Sequence, residues 1–306
     1  MTYQTDGILL IDKDEGETSY DVVRKVKSAL DIKKVGHAGT LDPFATGLLI
    51  ILIGQGTKLS SFIMSNKKSY VATLRLGTET DTLDRTGKVI KTSTVPELSK
   101  EYIREKVCAF QGEIEQTPPV YSAIKLKGAR AYKLARRGEE VFLEKRRVLI
   151  SALDIVSVSL PDVCLEVECS SGTYIRSLAA DLGVSLGTGG HLVSLRRTAC
   201  GPFSVDKAQR SRDVGRQSFE TLQEGMIPLI SVLTWIPQIE ISRPIAKAIR
   251  LGKRSALSEI VRDLNQDCET SGLIKLICSG ELVAVLKANT GRRDGHGRLE
   301  ILRVFS

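Results

Sequence analysis

Apolar and polar positions along this chain follow two periods, and the switches between them predict most of its elements. The run Gly7-Ile8-Leu9-Leu10-Ile11-Asp12 is short and continuously apolar, as a buried strand requires. Thr18 or Ser19 then caps a helix on which Val22, Val23, Val26, Ala29 and Leu30 share one face. A second apolar strand is expected at 48–53, and a short helix starting near Lys58. Tyr70, Ala72, Leu74 and Leu76 alternate with Val71, Thr73 and Arg75, which is a strand pattern. Residues 78–149 read as polar and turn-rich, with one helix at 100–110. Val163, Leu165 and Val167 alternate again. Gly172 breaks that strand, and Thr173 caps a helix with Ile175, Leu178, Ala179 and Leu182 as its buried stripe. Residues 191–197 form a further strand.

Strands and helices mix without a βαβ rhythm, which predicts an α+β sheet and not a doubly wound one. No internal repeat is visible. A boundary falls at 228–237, around the lone Trp235, and divides the chain into 1–235 and 236–306. The tail holds a short helix at 244–251 and strand-like runs at 273–278, 281–287 and 299–305.

Length and composition narrow the classes. A chain of 306 residues fits about two domains, and 42% hydrophobic with 26% charged residues is ordinary globular material. No secretory signal is evident, and the longest apolar run, 48–53, is too short to span a bilayer. A cytoplasmic protein is expected. The net charge of +8 favours an anionic partner, and nucleic acid is the commonest one. Cys108, Cys164, Cys169, Cys200, Cys268 and Cys278 include no C-x-x-C pair. With His37, His191 and His296 as the only histidines, no zinc constellation can be drawn. Reduced thiols and no metal are expected.

The candidate chemistry sits in Gly36-His37-Ala38-Gly39-Thr40-Leu41-Asp42-Pro43-Phe44-Ala45-Thr46-Gly47. One carboxylate stands among glycines, with His37 five residues upstream. Pro43 pushes Asp42 out of the α region, so the side chain is presented from a rigid loop and not from a helix face. An ordinary turn has the same local composition. Elsewhere the chain reads Lys68-Ser69-Tyr70-Val71-Ala72, Tyr121-Ser122-Ala123-Ile124-Lys125 and Ser171-Gly172-Thr173-Tyr174-Ile175-Arg176. Together these segments resemble the TruB-type tRNA pseudouridine-55 synthases, closely over residues 7–197 and loosely in the tail.

That resemblance implies an RNA isomerase acting on the T-arm of tRNA. It implies a mixed, mainly antiparallel sheet core with flanking helices and a small PUA-like RNA-binding domain at 236–306. Asp42 becomes the nucleophile, and an ionised carboxylate suits the task, since its ordinary pKa of about 3.9 needs no activating base. Charge in a dry pocket needs a partner. The resemblance supplies Arg176 for that role. It also assigns Tyr174 to the flipped base, Tyr70 to stacking, Leu195 to the base pocket and His37 to the gap left in the RNA. Lys13 and Lys58 match lysines near the site. Asp14 stands where the family usually has proline after that first lysine. Asp81 and Asp84 match a family segment and read as loop-organising or site-supporting. Lys133/Arg136/Arg137, Lys145/Arg146/Arg147 and Arg196/Arg197 are candidate phosphate contacts.

The resemblance further implies no cofactor, no required protein partner and a monomer. Competing enzyme patterns fail. In Ile53-Gly54-Gln55-Gly56-Thr57-Lys58 the third glycine of a dinucleotide fingerprint would fall at Leu59. The H-x-E and P-C-x-x-C pair of an RNA deaminase is missing. A reading of another class is a tRNA-binding or folding chaperone, in which Asp42 would be dispensable.

Overall fold

The computed structural model describes residues 6–122, 124–126, 128–216, 218–253, 257, 272–289 and 298–306. Its centre is a large mixed sheet. The main path runs Gln209–Arg210, Gly7–Lys13, Thr46–Ile53, Gly190–Cys200, Lys68–Leu76, Asp162–Cys169, Arg146–Ser159 and Gly112–Gln116. Only the Gln209–Arg210 edge and the junction of Thr46–Ile53 with Gly190–Cys200 are parallel along it. The mixed, mainly antiparallel α+β core expected from sequence is therefore present.

The strand Thr46–Ile53 explains its own apolar run. Leu49, Ile51 and Ile53 enter one core with Val22, Val23, Val26 and Leu30 of the helix Ser19–Leu30. Leu48, Ile50 and Leu52 enter a second core on the opposite face. A strand buried on both sides loses its alternation and becomes uniformly hydrophobic. Each such side chain contributes about 1.5–3 kcal/mol on burial.

Local signals set the helix ends. Thr18 caps Ser19–Leu30 in a full capping box with Asp21. Ser99 caps Lys100–Cys108 through its side chain. The helix expected near Lys58 is a 3-10 segment, Gly54–Leu59, that runs into Ser60–Met64. Thr173, expected as a cap, is not one. Its hydroxyl donates to the Ser170 carbonyl at 2.9 Å, and the helix Ile175–Ser185 starts at Tyr174 without a capping side chain.

The strand Arg146–Ser159 was not legible in the hydrophobic pattern. Bulges between Ile150 and Ala152 and between Ile155 and Ser157 shift its register against Asp162–Cys169. Each bulge slips the side-chain alternation, so no continuous period-two pattern survives. The hairpin of Thr78–Thr80 with Val89–Thr92 also lies inside the stretch read as turn-rich.

The tail forms its own four-stranded sheet, Gln238–Glu240, Gly272–Cys278, Glu281–Asn289 and Arg298–Val304. The helix Arg243–Arg250 covers it through Ala246 and Ile249. Phe305, Leu282 and Val285 reach past this sheet into the second core beside Ile8, Leu10 and Leu48. Cys268 lies outside the described residues.

Candidate active site

Asp42 sits in a loop between the strands Val35–His37 and Thr46–Ile53, as Pro43 predicted. The loop is tied down on every side. Ser19 Oγ accepts from Leu41 N–H at 2.9 Å, and the Pro43 carbonyl accepts from Gly16 N–H at 2.8 Å. Gly47 closes it with φ +97°, and a Cβ there would fall 2.2 Å from the Arg197 carbonyl oxygen. Any side chain at that position would force two strands apart.

Arg176 enters from the first turn of Ile175–Ser185 and is only 6% exposed. Its Nε lies 3.0 Å from Asp42 Oδ2, and its Nη2 lies 3.4 Å from Asp42 Oδ1. The same guanidinium reaches a second carboxylate. Its Nη1 is 3.4 Å from Asp84 Oδ2, and it donates to the carbonyls of Thr82 at 3.1 Å and Tyr121 at 3.0 Å. Asp84 is 3% exposed and accepts from Thr82 Oγ1, Thr86 N–H and Thr86 Oγ1 on its other oxygen. Asp81 organises the same loop by accepting from Lys88 N–H at 2.8 Å. Leu83, between them, holds φ +61°. This left-handed geometry is uncommon for leucine and is kept by bonds on both sides. Leu83 N–H donates to the Thr80 carbonyl, and its own carbonyl accepts from Leu192 N–H.

Burial pushes the Asp42 carboxyl above its ordinary range. Arg176 opposes that shift, Asp84 adds to it and Lys13 opposes it. Arg176 offsets the burial only in part, because one guanidinium is divided between two carboxylates.

The other expected residues lie on several elements. Tyr70 and Leu195 lie on the adjacent central strands Lys68–Leu76 and Gly190–Cys200, where Tyr70 pairs with Arg197 and Leu195 with Ala72. Burial raises the Tyr70 hydroxyl pKa to about 12, so it stays neutral. Tyr174 precedes Arg176 by two residues, and the Arg146 guanidinium stands 5.7 Å from its ring centroid. His37 is half-buried at the end of Val35–His37. Burial and the nearby Arg197 lower its pKa, which favours the neutral ring.

Lys13 is 0% exposed and faces the backbone. Its Nζ donates to the carbonyls of Asp14 at 2.9 Å, Glu17 at 2.8 Å and Pro43 at 3.3 Å. It thus clamps the Asp42 loop from below. Lys58 points elsewhere. Its Nζ donates to the Val304 carbonyl at 2.7 Å and lies 5.5 Å from the Phe305 ring, on the face of the second core.

One expectation about charge is corrected. Arg197 was a candidate phosphate contact, but it is 3% exposed. Its Nε donates to the Leu48 carbonyl at 2.7 Å and its Nη2 to the Gly39 carbonyl at 3.1 Å. It staples the start of the Asp42 loop to the sheet and has no free face for RNA. Arg196 is held by both oxygens of Asp12 at 2.8 and 2.9 Å. Lys133, Arg137, Lys145 and Arg147 are exposed and Arg146 is half-exposed, whereas the Arg136 side chain and Ala123 lie outside the described residues.

Sequence reasoning missed Gln116, which grips the Tyr174 backbone on both sides. A glutamine ending a strand carries no outward sign of such a task. Among the described residues no three of His, Cys, Asp and Glu cluster as metal ligands. A cavity of about 340 Å³ at the junction with the tail is lined by Asp6, Gln55, Arg250 and Phe305, among others, and includes none of the expected site residues.

Comparison with known proteins identifies the family. Residues 27–175 match the TruB family pseudouridylate synthase N-terminal domain, and residues 176–231 match the tRNA pseudouridylate synthase B C-terminal domain. The tRNA pseudouridine synthase B of Clostridium kluyveri is 44% identical over 262 residues, covering 84% of this chain and 89% of that protein. That of Geobacter sulfurreducens is 37% identical over 305 residues, covering 98% and 100%. A chain from a crystal structure of a Cbf5-Nop10-Gar1 complex shares the fold, with a TM-score of 0.72 at 22% identity over 99% of this chain and 84% of that one. An aspartate loop gripped by an arginine, in a chain matched along nearly its whole length, leads to one assignment: the chain belongs to the TruB family of pseudouridylate synthases.

Proposed function

We propose that this enzyme converts uridine 55 in the T-arm of tRNA to pseudouridine, with Asp42 as the nucleophile. The reaction breaks the N1–C1′ bond, turns the uracil and joins C5 to C1′. The C5 proton is lost and N1 regains one, so nothing is oxidised and no group is added. The observation that carries the reading is the forked contact of Arg176 with Asp42, made by a buried guanidinium on a carboxylate in a fixed loop. An anion held in this way is ready to attack and to leave without a base to activate it.

The remaining roles are those that the family resemblance implies. The target uridine must leave its stack at a cost of a few kcal/mol, and an aromatic platform returns about 1–3 kcal/mol per base. Tyr70 provides that platform, Tyr174 meets the uracil edge, and Leu195 closes the apolar wall. A neutral His37 enters the space the base vacates. Lys13 acts through the loop and not on the RNA. Lys58 acts at the tail.

The division at 235/236 and the PUA-like character of the tail belong to the same reading, with the tail as a second RNA contact. No helix among the described residues is long and apolar enough to cross a membrane. We place the enzyme in the cytoplasm with its tRNA, acting alone as a monomer and without a cofactor. Mass-resolved mapping of pseudouridine in a tRNA transcript, before and after incubation with the purified chain alone, tests the proposal. One new pseudouridine at position 55 is expected, and an unmodified transcript would refute it.

A further inference from the structure

Tyr174 and Arg176 both lie at the start of Ile175–Ser185, and that start lacks a capping side chain of its own. Its hold comes from outside. Gln116, the last residue of Gly112–Gln116, is 0% exposed. Its Oε1 accepts from Tyr174 N–H at 2.7 Å, and its Nε2 donates to the Tyr174 carbonyl at 3.0 Å. One primary amide therefore satisfies both backbone groups of one residue, as a neighbouring strand would.

The next rung of the sheet reinforces this. The cross-strand partner of Gln116 is Arg146. That same Arg146 carries the guanidinium 5.7 Å from the Tyr174 ring centroid. Backbone and ring of Tyr174 are thus flanked by a single residue pair. Ser177 Oγ donates to the Thr117 carbonyl at 2.8 Å, so the residue after Gln116 fixes the first turn of the helix as well.

We propose that Gln116 is a positioning residue for the base-contacting tyrosine, fixing the Tyr174 ring through its backbone. The inference rests on the reading of Tyr174 as a uracil contact. The site calls for a neutral amide. An ionised glutamate would accept from the N–H but repel the carbonyl, whereas a protonated one would restore both bonds.

A double-mutant cycle on the full chain tests this. Single-turnover pseudouridine formation on a T-arm stem-loop is measured beside RNA affinity and thermal unfolding. Gln116→Ala is expected to slow the reaction about 10–100-fold with affinity changed less than about threefold, the scale of a lost buried hydrogen bond. In a Tyr174→Ala background the same change should cost less than about twofold, because the two residues act as one unit. Equal losses in both backgrounds would overturn the proposal. Should Gln116→Ala fail to fold, Gln116→Glu carries the test. Its rate relative to the unsubstituted chain should rise as pH falls and the buried carboxyl takes up a proton. A ratio depressed equally at every pH would overturn the proposal. Activity surviving Asp42→Asn would instead sink the site assignment, a failure read on a separate variant.

Discussion

Arg176 holds Asp42 with two nitrogens, Nε at 3.0 Å and Nη2 at 3.4 Å, while its third nitrogen faces Asp84 at 3.4 Å. The fork fixes the carboxylate's orientation as well as its charge. Sharing has a second effect. Two carboxylates against one guanidinium leave the trio net negative, so Asp42 is oriented without being neutralised.

Asp42→Asn should abolish pseudouridine formation on a T-arm stem-loop. RNA affinity should stay within about tenfold, or about 1.4 kcal/mol, because the amide keeps the shape of the carboxylate. Mass-resolved mapping and filter binding read the two quantities. A variant that still formed pseudouridine would show the nucleophile assignment to be wrong.

The raised pKa of Asp42 has a calculable sign. A carboxyl that holds its proton more tightly when folded adds stability below the ordinary value of 3.8, and that stability is lost as pH rises through the folded pKa. Asp42→Asn should therefore unfold at a higher temperature than the unsubstituted chain near pH 7, with the gain fading as pH falls through the folded pKa and absent below the ordinary value of 3.8. The acid limb of the rate profile should lie above the ordinary carboxylate range. Thermal scans and kcat against pH check both.

Asp84→Asn keeps a side chain that can accept from Thr82 and Thr86 but removes a charge facing Arg176. A hydrogen bond to a charged group is worth about 1.5–3 kcal/mol, so kcat should fall about 10–100-fold. KM should move little, since Asp84 is buried behind Arg176. A change confined to KM would contradict a positioning role.

Tyr70→Phe should retain most activity, because the proposed stacking role needs only the ring and the hydroxyl stays neutral with a pKa of about 12. Tyr70→Ala should lose about 1–3 kcal/mol of base stabilisation. A fluorescent base analogue at the target position would report less unstacking in the alanine variant only.

Affinity for the T-arm should fall steeply with salt, as phosphate contacts require. Lys145→Gln and Arg147→Gln, both on exposed side chains, should each reduce the slope of log affinity against log salt by about 1. Arg197→Gln should instead lower the unfolding temperature, because it frees the Leu48 and Gly39 carbonyls.

The sequence displayed the site's chemistry better than its scaffolding. Asp42, Arg176 and Tyr174 sit in the contiguous segments that carry the family resemblance, although their local composition is that of an ordinary turn and helix start. The central apolar strands were also legible, since burial on both faces leaves an uninterrupted run. Arg197 misled, because a long cation in a basic protein looks like an RNA contact, and nothing local tells that its nitrogens end on buried carbonyls. Gln116 and Asp84 act across distances of 58 and 92 residues. Such partners are fixed by how strands stack in the sheet, which no local window contains. Arg146–Ser159 was hidden by its bulges.

Phe305 shares a core with Ile8, Leu10 and Leu48. The first strand of the synthase sheet is therefore roofed by a side chain that the tail contributes. Until the tail folds against that strand, one face of the first sheet stays apolar and open. Contacts so distant along the chain close late and slowly, and an open apolar face invites aggregation meanwhile. A copy whose tail is undocked would thus leave Ile8, Leu10 and Leu48 uncovered.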